Sequence, residues 1–194
     1  MGKSKVEIKS NPIEVATMEI GIVGETPLLM EKFSDASRQQ LLNIAVGKGR
    51  EKRKNRDMNQ EVKDKIHQAN NGKPGFPACA FKKAMVEAAV YIDGMDKKRV
   101  RGSLFVIGDV VPIAFKKMTV NKAVGRDKGI NRAPREIWRP EFQGWSTTLT
   151  IKYNAAQVTP DQVVELLKLA GFHIGIGGWR PQCDGQYGMF RVRV

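Results

Sequence analysis

The sequence contains few of the residues that build disulfide frameworks and metal centres. Only two cysteines occur among 194 residues, Cys79 and Cys183, and they do not form a CxxC pair. Two cysteines exclude a disulfide-stapled scaffold, so we expect both to be reduced thiols. The two histidines, His67 and His173, do not group with cysteines at zinc-ligand spacing. The sequence therefore predicts no metal and no cofactor.

Long apolar runs are also missing. The first residues, 1–5, are polar and lack the apolar core of a secretory signal. No apolar run approaches the roughly 18 residues that a membrane span requires. We expect a cytoplasmic protein without a membrane partner.

Positive charge, in contrast, is abundant. Lysine and arginine number 33 against 20 acidic residues, which gives a formal net charge of +13 and a pI near 9.9. An excess of this size favours a polyanionic partner, and the usual one is nucleic acid. A basic protein without such a partner is the alternative. The charge is concentrated in two segments, 47–75 and 116–140, which favours the first interpretation.

The apolar pattern predicts a mixed fold. Alternation predicts strands at 17–23, 145–153 and 189–194, a β-branched run predicts a strand within 104–115, and helical spacing marks 34–46, 76–90 and 159–170. Without two insertions, at about 34–75 and 116–140, the order is strand, helix, strand, strand, helix, strand. This is the ferredoxin-like β-α-β-β-α-β arrangement of the α+β class, which RNA-recognition motifs share. We expect one domain over residues 1–194.

The insertions supply the expected phosphate contacts. We interpret 47–75 as a mobile, partly helical loop in which His67 is solvated, and 116–140 as a thumb-like hairpin. The candidate cations of both segments are Lys48, Arg50, Lys52, Arg53, Lys54, Arg56, Lys122, Arg126, Lys128, Arg132, Arg135 and Arg139. Trp138 beside Arg139, and Trp179 beside Arg180, suit base stacking, with core packing as the alternative for each tryptophan.

Two further segments attract attention. In the glycine-rich stretch 171–188 a helix comes first and a strand after, which excludes Rossmann and P-loop sites. Gly177 and Gly178 would allow close approach to a nucleic-acid backbone or a neighbouring subunit, unless they only build a tight connection. Lys82 and Lys83 lie near the start of a helix, where the helix dipole disfavours positive charge. A bound anion or simple solvation of the two side chains would offset this unfavourable interaction.

The C-terminal segment resembles a known superfamily. A helix, then Gly175-Ile-Gly177-Gly178-Trp-Arg-Pro, then Gly185-Gln-Tyr-Gly188-Met-Phe and a last strand, is similar to the glycine-rich signature of the RAMP superfamily of CRISPR–Cas complexes. Residues 76–84 resemble a loop-and-helix segment of its crRNA-backbone subunits. Residues 26–34 with the Trp-Arg-Pro segment also look like certain phage and prophage proteins, which implies a bacterial or phage-infected host cell. The resemblance implies single-strand binding by side-by-side subunits, with a thumb hairpin inserted between bases.

Three functions remain in view. The favoured one is a non-catalytic, sequence-tolerant protein that binds single-stranded RNA or DNA, because phosphate contacts carry no sequence information. The second is an endoribonuclease that uses His173 as general acid or base. The third is an adaptor or mimic that docks on a RAMP-type ribonucleoprotein. RNA and DNA are not distinguished by the sequence.

Overall fold

The computed structural model describes residues 13–48, 56–126 and 134–193, and it confirms an α+β fold with antiparallel sheets. The strands are β1 Val15–Gly24, β2 Leu28–Leu29, β3 His67–Gln68, β4 Pro74–Pro77, β5 Leu104–Val106, β6 Val110–Pro112, β7 Lys117–Arg126, β8 Pro134–Gln143, β9 Ser146–Asn154 and β10 Phe190–Val192. The α-helices are α1 Asp35–Ala45, α2 Met58–Asp64, α3 Ala78–Ala88, α4 Lys97–Ser103 and α5 Pro160–Leu169.

The largest sheet has four strands in the order β10-β1-β9-β5, all antiparallel to their neighbours. Its strands alternate as predicted: Ile20 pairs with Leu149 across β1 and β9, and both side chains are buried. Helices α3 and α5 contact this sheet and share its apolar core. In chain order, the strands of this sheet and the two helices that contact it are β1, α3, β5, β9, α5 and β10.

Local signals explain the two helices that cover the core. Thr159 caps α5 by accepting from the Gln162 amide at 3.2 Å, and the Gln162 side chain accepts from the Thr159 amide at 3.0 Å. This is the capping box that the sequence indicates. In α3, the buried Phe81, Met85 and Ala88 follow helical spacing. Both helices therefore form where the sequence places them.

The second sheet contains a long hairpin. Strands β7 and β8 pair over ten residues each, from Lys117 opposite Gln143 to Arg126 opposite Pro134, and β2 pairs with the other edge of β8. The region predicted as a thumb-like hairpin thus forms antiparallel strands. Residues 127–133, between the strands, lie outside the described residues.

The third sheet, β3-β4-β6, includes strands from 47–75, which the sequence predicted as a mobile, partly helical loop; the helical part is confirmed by α2 and the strands were not predicted. In its described part that segment forms α2, β3 and the start of β4. His67 is half-buried instead of solvated, and its ring meets Phe76 edge-on at 6.0 Å. Burial, with a contribution from Lys32, lowers the pKa of His67.

Two other expectations also differ from the structure. The sequence predicts one strand within 104–115 with an interruption at Gly108-Asp109, and the chain does turn there, with φ +97° at Gly108. The two parts, β5 and β6, however belong to different sheets. Helix α1 forms with Ser34 as its N-cap, but its apolar stripe is not buried: Leu41 and Leu42 are 57% and 53% exposed. Among the helices of the described ranges, none has the length and apolar character that crossing a membrane requires.

Candidate nucleic-acid interface

The glycine-rich loop packs closely on β2. The Gly178 amide donates to the Leu29 carbonyl at 3.0 Å, and the Gly188 amide donates to the Pro27 carbonyl at 2.8 Å. Gly177 has φ +81°, and a Cβ at this position would lie 2.5 Å from the carbonyl oxygen of Leu29. Gly177 and Gly188, which also has a positive φ, are therefore required for close backbone packing within the chain, whereas a Cβ at Gly178 would come no closer than 3.6 Å to its neighbours.

The loop displays Trp179 at the surface. Trp179 has φ +51°, an uncommon conformation for a residue other than glycine, and it is 49% exposed. The Tyr187 amide donates to the Trp179 carbonyl at 3.0 Å, and the two rings lie 6.5 Å apart. Arg180 folds back on the loop, donating to the Gly177 carbonyl at 3.2 Å and to Gln182 Oε1 at 3.0 Å. The loop thus presents an aromatic ring and holds Arg180 against itself.

Arg139 of β8 lies beside this ring and is largely buried. Its side chain is 8% exposed, and its guanidinium carbon lies 5.5 Å from the centre of the Trp179 ring. Nε donates to Glu31 Oε2 at 3.2 Å, whereas Nη1 is buried without a hydrogen-bond partner among the described residues. The sequence predicted a surface phosphate contact here, and the structure places the guanidinium inside the protein.

Asn121 of β7 lies directly opposite Arg139 in the hairpin. Its Nδ2 donates to Glu141 Oε2 and to the Tyr187 hydroxyl, each at 3.3 Å. Its Oδ1 is buried and, within the described part of the chain, accepts no hydrogen bond. We call the group formed by Asn121, Arg139, Trp179 and Tyr187 the Trp179 cluster. Asn121 carried no signal in the sequence, because only the hairpin register brings it opposite Arg139. Tyr187 lies within the glycine-rich signature but was not predicted as a site residue.

Helix α2 and the residues that flank it contact strand β8 of the hairpin. The Arg56 guanidinium lies 4.1 Å from the centre of the Trp138 ring and donates to Glu61 Oε2 and to the Glu136 carbonyl. Lys65 donates to the Trp138 carbonyl at 2.7 Å and to Glu61 Oε1 at 3.0 Å. Burial raises the pKa of Glu61, but hydrogen bonds from Lys65 and Arg56 lower it by more. Arg56 and Trp138, both predicted nucleic-acid contacts, hold α2 on the hairpin.

Other predicted contacts remain on the surface. Lys48 follows α1, Lys83 lies on α3, and Lys122 and Arg135 lie on the hairpin, all exposed. The backbone of Arg126 ends β7. The remaining predicted cations lie outside the described residues: Arg50, Lys52, Arg53, Lys54, Lys128 and Arg132.

Helices α3 and α4 together carry a basic surface, of which the sequence predicted Lys82 and Lys83 on α3 but not the cations of α4. The Lys82 ammonium sits 3.7 Å above the Phe105 ring, which is 49% exposed. Burial, with repulsion from Arg101, lowers the pKa of Lys82. Helix α4 adds the exposed Lys98 and Arg99. Only Val100 and Ser103 of this helix are buried, and one buried apolar residue is too little to predict a helix from the sequence.

His173 lies in an aromatic setting. It belongs to a π-helical turn, Ala170–Ile174, and its ring stacks on Tyr91 at 4.1 Å with Phe172 edge-on at 5.0 Å. Cys79 and Cys183 are exposed free thiols. Across the described ranges, no group of three or more histidine, cysteine, aspartate or glutamate side chains is placed to hold a metal ion.

Comparison with known proteins gives a distant likeness in structure and none in sequence. No family model matches the chain, and no curated protein matches it in sequence. Among solved structures, the chain is similar to Cmr6 from Pyrococcus furiosus, with a TM-score of 0.49 and 11% identity over 93% of this chain and 98% of that one. A likeness this distant says nothing about what this chain binds.

Proposed function

We propose that this chain is a non-catalytic protein that binds single-stranded RNA or DNA. The observation that carries the proposal is the exposed Trp179 ring beside the Arg139 guanidinium, where the glycine-rich loop meets the basic hairpin. Single-strand binders combine cations that follow the backbone with aromatic rings on which bases stack. Trp179 supplies the ring, and exposed lysines and arginines elsewhere on the hairpin and helices supply the cations.

The net charge of +13 supports the same proposal. Exposed cations are distributed over the hairpin and helices, at Lys48, Lys83, Lys98, Arg99, Lys122 and Arg135. Contacts of this kind neutralise phosphates and carry no sequence information. We therefore propose that most of the affinity is sequence-tolerant and falls steeply with salt.

We also propose a ferredoxin-like core within a single domain over 1–194. The order β10-β1-β9-β5 with α3 and α5 on the sheet supports it, since the split β-α-β plan has this arrangement. Membership of a RAMP-like group and subunits lined up along the strand rest on the sequence resemblance and remain proposals. A cytoplasmic location rests on the composition of the sequence and is also a proposal.

Replacement of Trp179 tests the function at its proposed contact. Trp179→Ala should weaken binding of a labelled single strand about tenfold, because a stacked base contributes about 1–3 kcal/mol. Phe172→Ala, which removes a ring that is 62% exposed and is not part of the Trp179 cluster, is the matched control and should bind like the unmodified protein. Equal affinity of the two variants would remove Trp179 from the interface.

Substitution of His173 separates binding from catalysis. We expect His173→Ala to bind single strands as the unmodified protein does, and we expect neither protein to cleave RNA during a long incubation. Cleavage that disappears in His173→Ala would replace this proposal with the ribonuclease alternative. A protein partner retained after nuclease digestion would favour the adaptor.

A further inference from the structure

We propose that the Trp179 cluster holds one nucleobase of the bound strand by its hydrogen-bonding edge. Arg139 Nη1 donates to an acceptor of the base, and Asn121 Oδ1 accepts from an adjacent N–H. This inference rests on the proposed function for the presence of a strand. It goes beyond that function because it adds one base-specific contact to an otherwise sequence-tolerant surface.

The proposal starts from two unused polar atoms. Arg139 Nη1 and Asn121 Oδ1 are the buried side-chain atoms without hydrogen-bond partners in the described part of the chain. They belong to residues directly opposite each other in the hairpin. Burying an unpaired donor or acceptor is unfavourable, and native structures rarely leave one unsatisfied. One ligand with an acceptor next to a donor would satisfy both.

The surrounding charges favour a base over a phosphate. The Glu31 carboxylate lies 3.2 Å from Arg139 Nε and already partners its charge. The Glu141 carboxylate lies 3.3 Å from Asn121 Nδ2. A phosphate offers only negatively charged acceptors, so these carboxylates and Asn121 Oδ1 would repel it. A nucleobase is neutral and carries adjacent donors and acceptors on its pairing edge.

The Trp179 ring, which lies over Arg139, also suits a nucleobase as the ligand. Trp179, at φ +51°, follows two glycines, and its ring lies over Arg139 beside the Tyr187 ring. A non-glycine residue held at positive φ stores strain, and such residues cluster at ligand clamps. A shift of the Trp179 ring onto an incoming base would uncover Arg139 Nη1 while keeping the aromatic contact.

Base isosteres test the proposal. The probes are single strands of about 12 nucleotides, one set with thymine or uracil and one with adenine. Each is matched by a strand in which difluorotoluene or methylbenzimidazole keeps the shape and charge but removes the hydrogen-bonding edge. The unmodified protein should bind at least one natural strand about tenfold more tightly than its isostere. Arg139→Lys and Asn121→Ala should bind both members of the pair equally.

Controls separate this outcome from a general loss of binding. Arg139→Lys keeps the positive charge, so its salt dependence should match that of the unmodified protein. Thr119→Val removes a hydroxyl that donates a hydrogen bond to Glu141, as Asn121 does, and this variant should keep the base preference. Equal binding of natural and isosteric strands by the unmodified protein would overturn the proposal and leave the proposed function intact. No binding of any strand would overturn both.

Discussion

At the scale of single residues, two glycines should respond to an added methyl group in opposite ways. Gly188 has φ +68°, and a Cβ there would overlap the Ile176 carbonyl. Gly102, in α4, has open space around its Cα. We expect Gly188→Ala to lower the free energy of unfolding by more than about 2 kcal/mol. We expect Gly102→Ala to raise it by about 0.5–1 kcal/mol. Urea denaturation measures both, and shifts of the same sign would contradict the described loop packing.

His67 gives a prediction about pH. Burial and Lys32 lower its pKa in the folded protein, so the unfolded chain binds a proton more readily. Above the unfolded pKa of about 6.5 this difference has no effect, and stability falls as the pH drops from there towards the lowered folded pKa. His67→Gln should reduce the pH dependence of the free energy of unfolding between about pH 7.5 and about pH 5, two values that lie about one unit or more on either side of the unfolded pKa. His173→Gln, which retains His67, should keep the slope, and a slope unchanged in His67→Gln would show that other groups cause it.

At the scale of secondary-structure elements, Glu61 gives a stability prediction, because it forms ion pairs with Arg56 and Lys65 and both cations also donate to backbone carbonyls of β8. The side chains of Lys65 and Glu61 are 14% and 22% exposed, so each charge is stabilised more by its partner than by water. Glu61→Gln should lower the free energy of unfolding by about 1–3 kcal/mol, because it weakens charged hydrogen bonds at a partly buried site. The exposed pair Glu165–Lys168, 3.9 Å apart, is the control. Glu165→Gln should cost less than about 0.5 kcal/mol in urea denaturation, and equal losses would contradict the docking role of α2.

The elements also show how far sequence patterns reach. Helix α5 and strand β9 were predicted because a capping box and strict alternation are local signals. Helix α4 was missed because most of its residues are charged, and the burial of Val100 depends on distant partners. The exposed stripe of α1 shows the reverse case, a local signal that tertiary packing does not use.

At the scale of the whole molecule, the candidate site is assembled from distant parts of the chain. Its residues come from four parts of the chain: Glu31 follows β2, Asn121 and Arg139 lie on the two hairpin strands, and Trp179 lies in the C-terminal loop. The sequence indicated Arg139 and Trp179 by residue type, but it assigned Arg139 to the surface. Which hairpin face turns inward depends on register and on long-range packing, and neither is a local property. Asn121 could therefore be found only in the folded chain.

The most direct test of the account is the affinity for a labelled single strand across a salt series, measured by fluorescence anisotropy with RNA and with DNA. Because phosphate contacts release counterions, we expect the logarithm of the association constant to fall linearly with the logarithm of the salt concentration. The slope should correspond to several phosphates, and Trp179→Ala should shift the line to lower affinity without changing its slope. The absence of binding to either RNA or DNA at low salt would contradict the account and point to a protein partner.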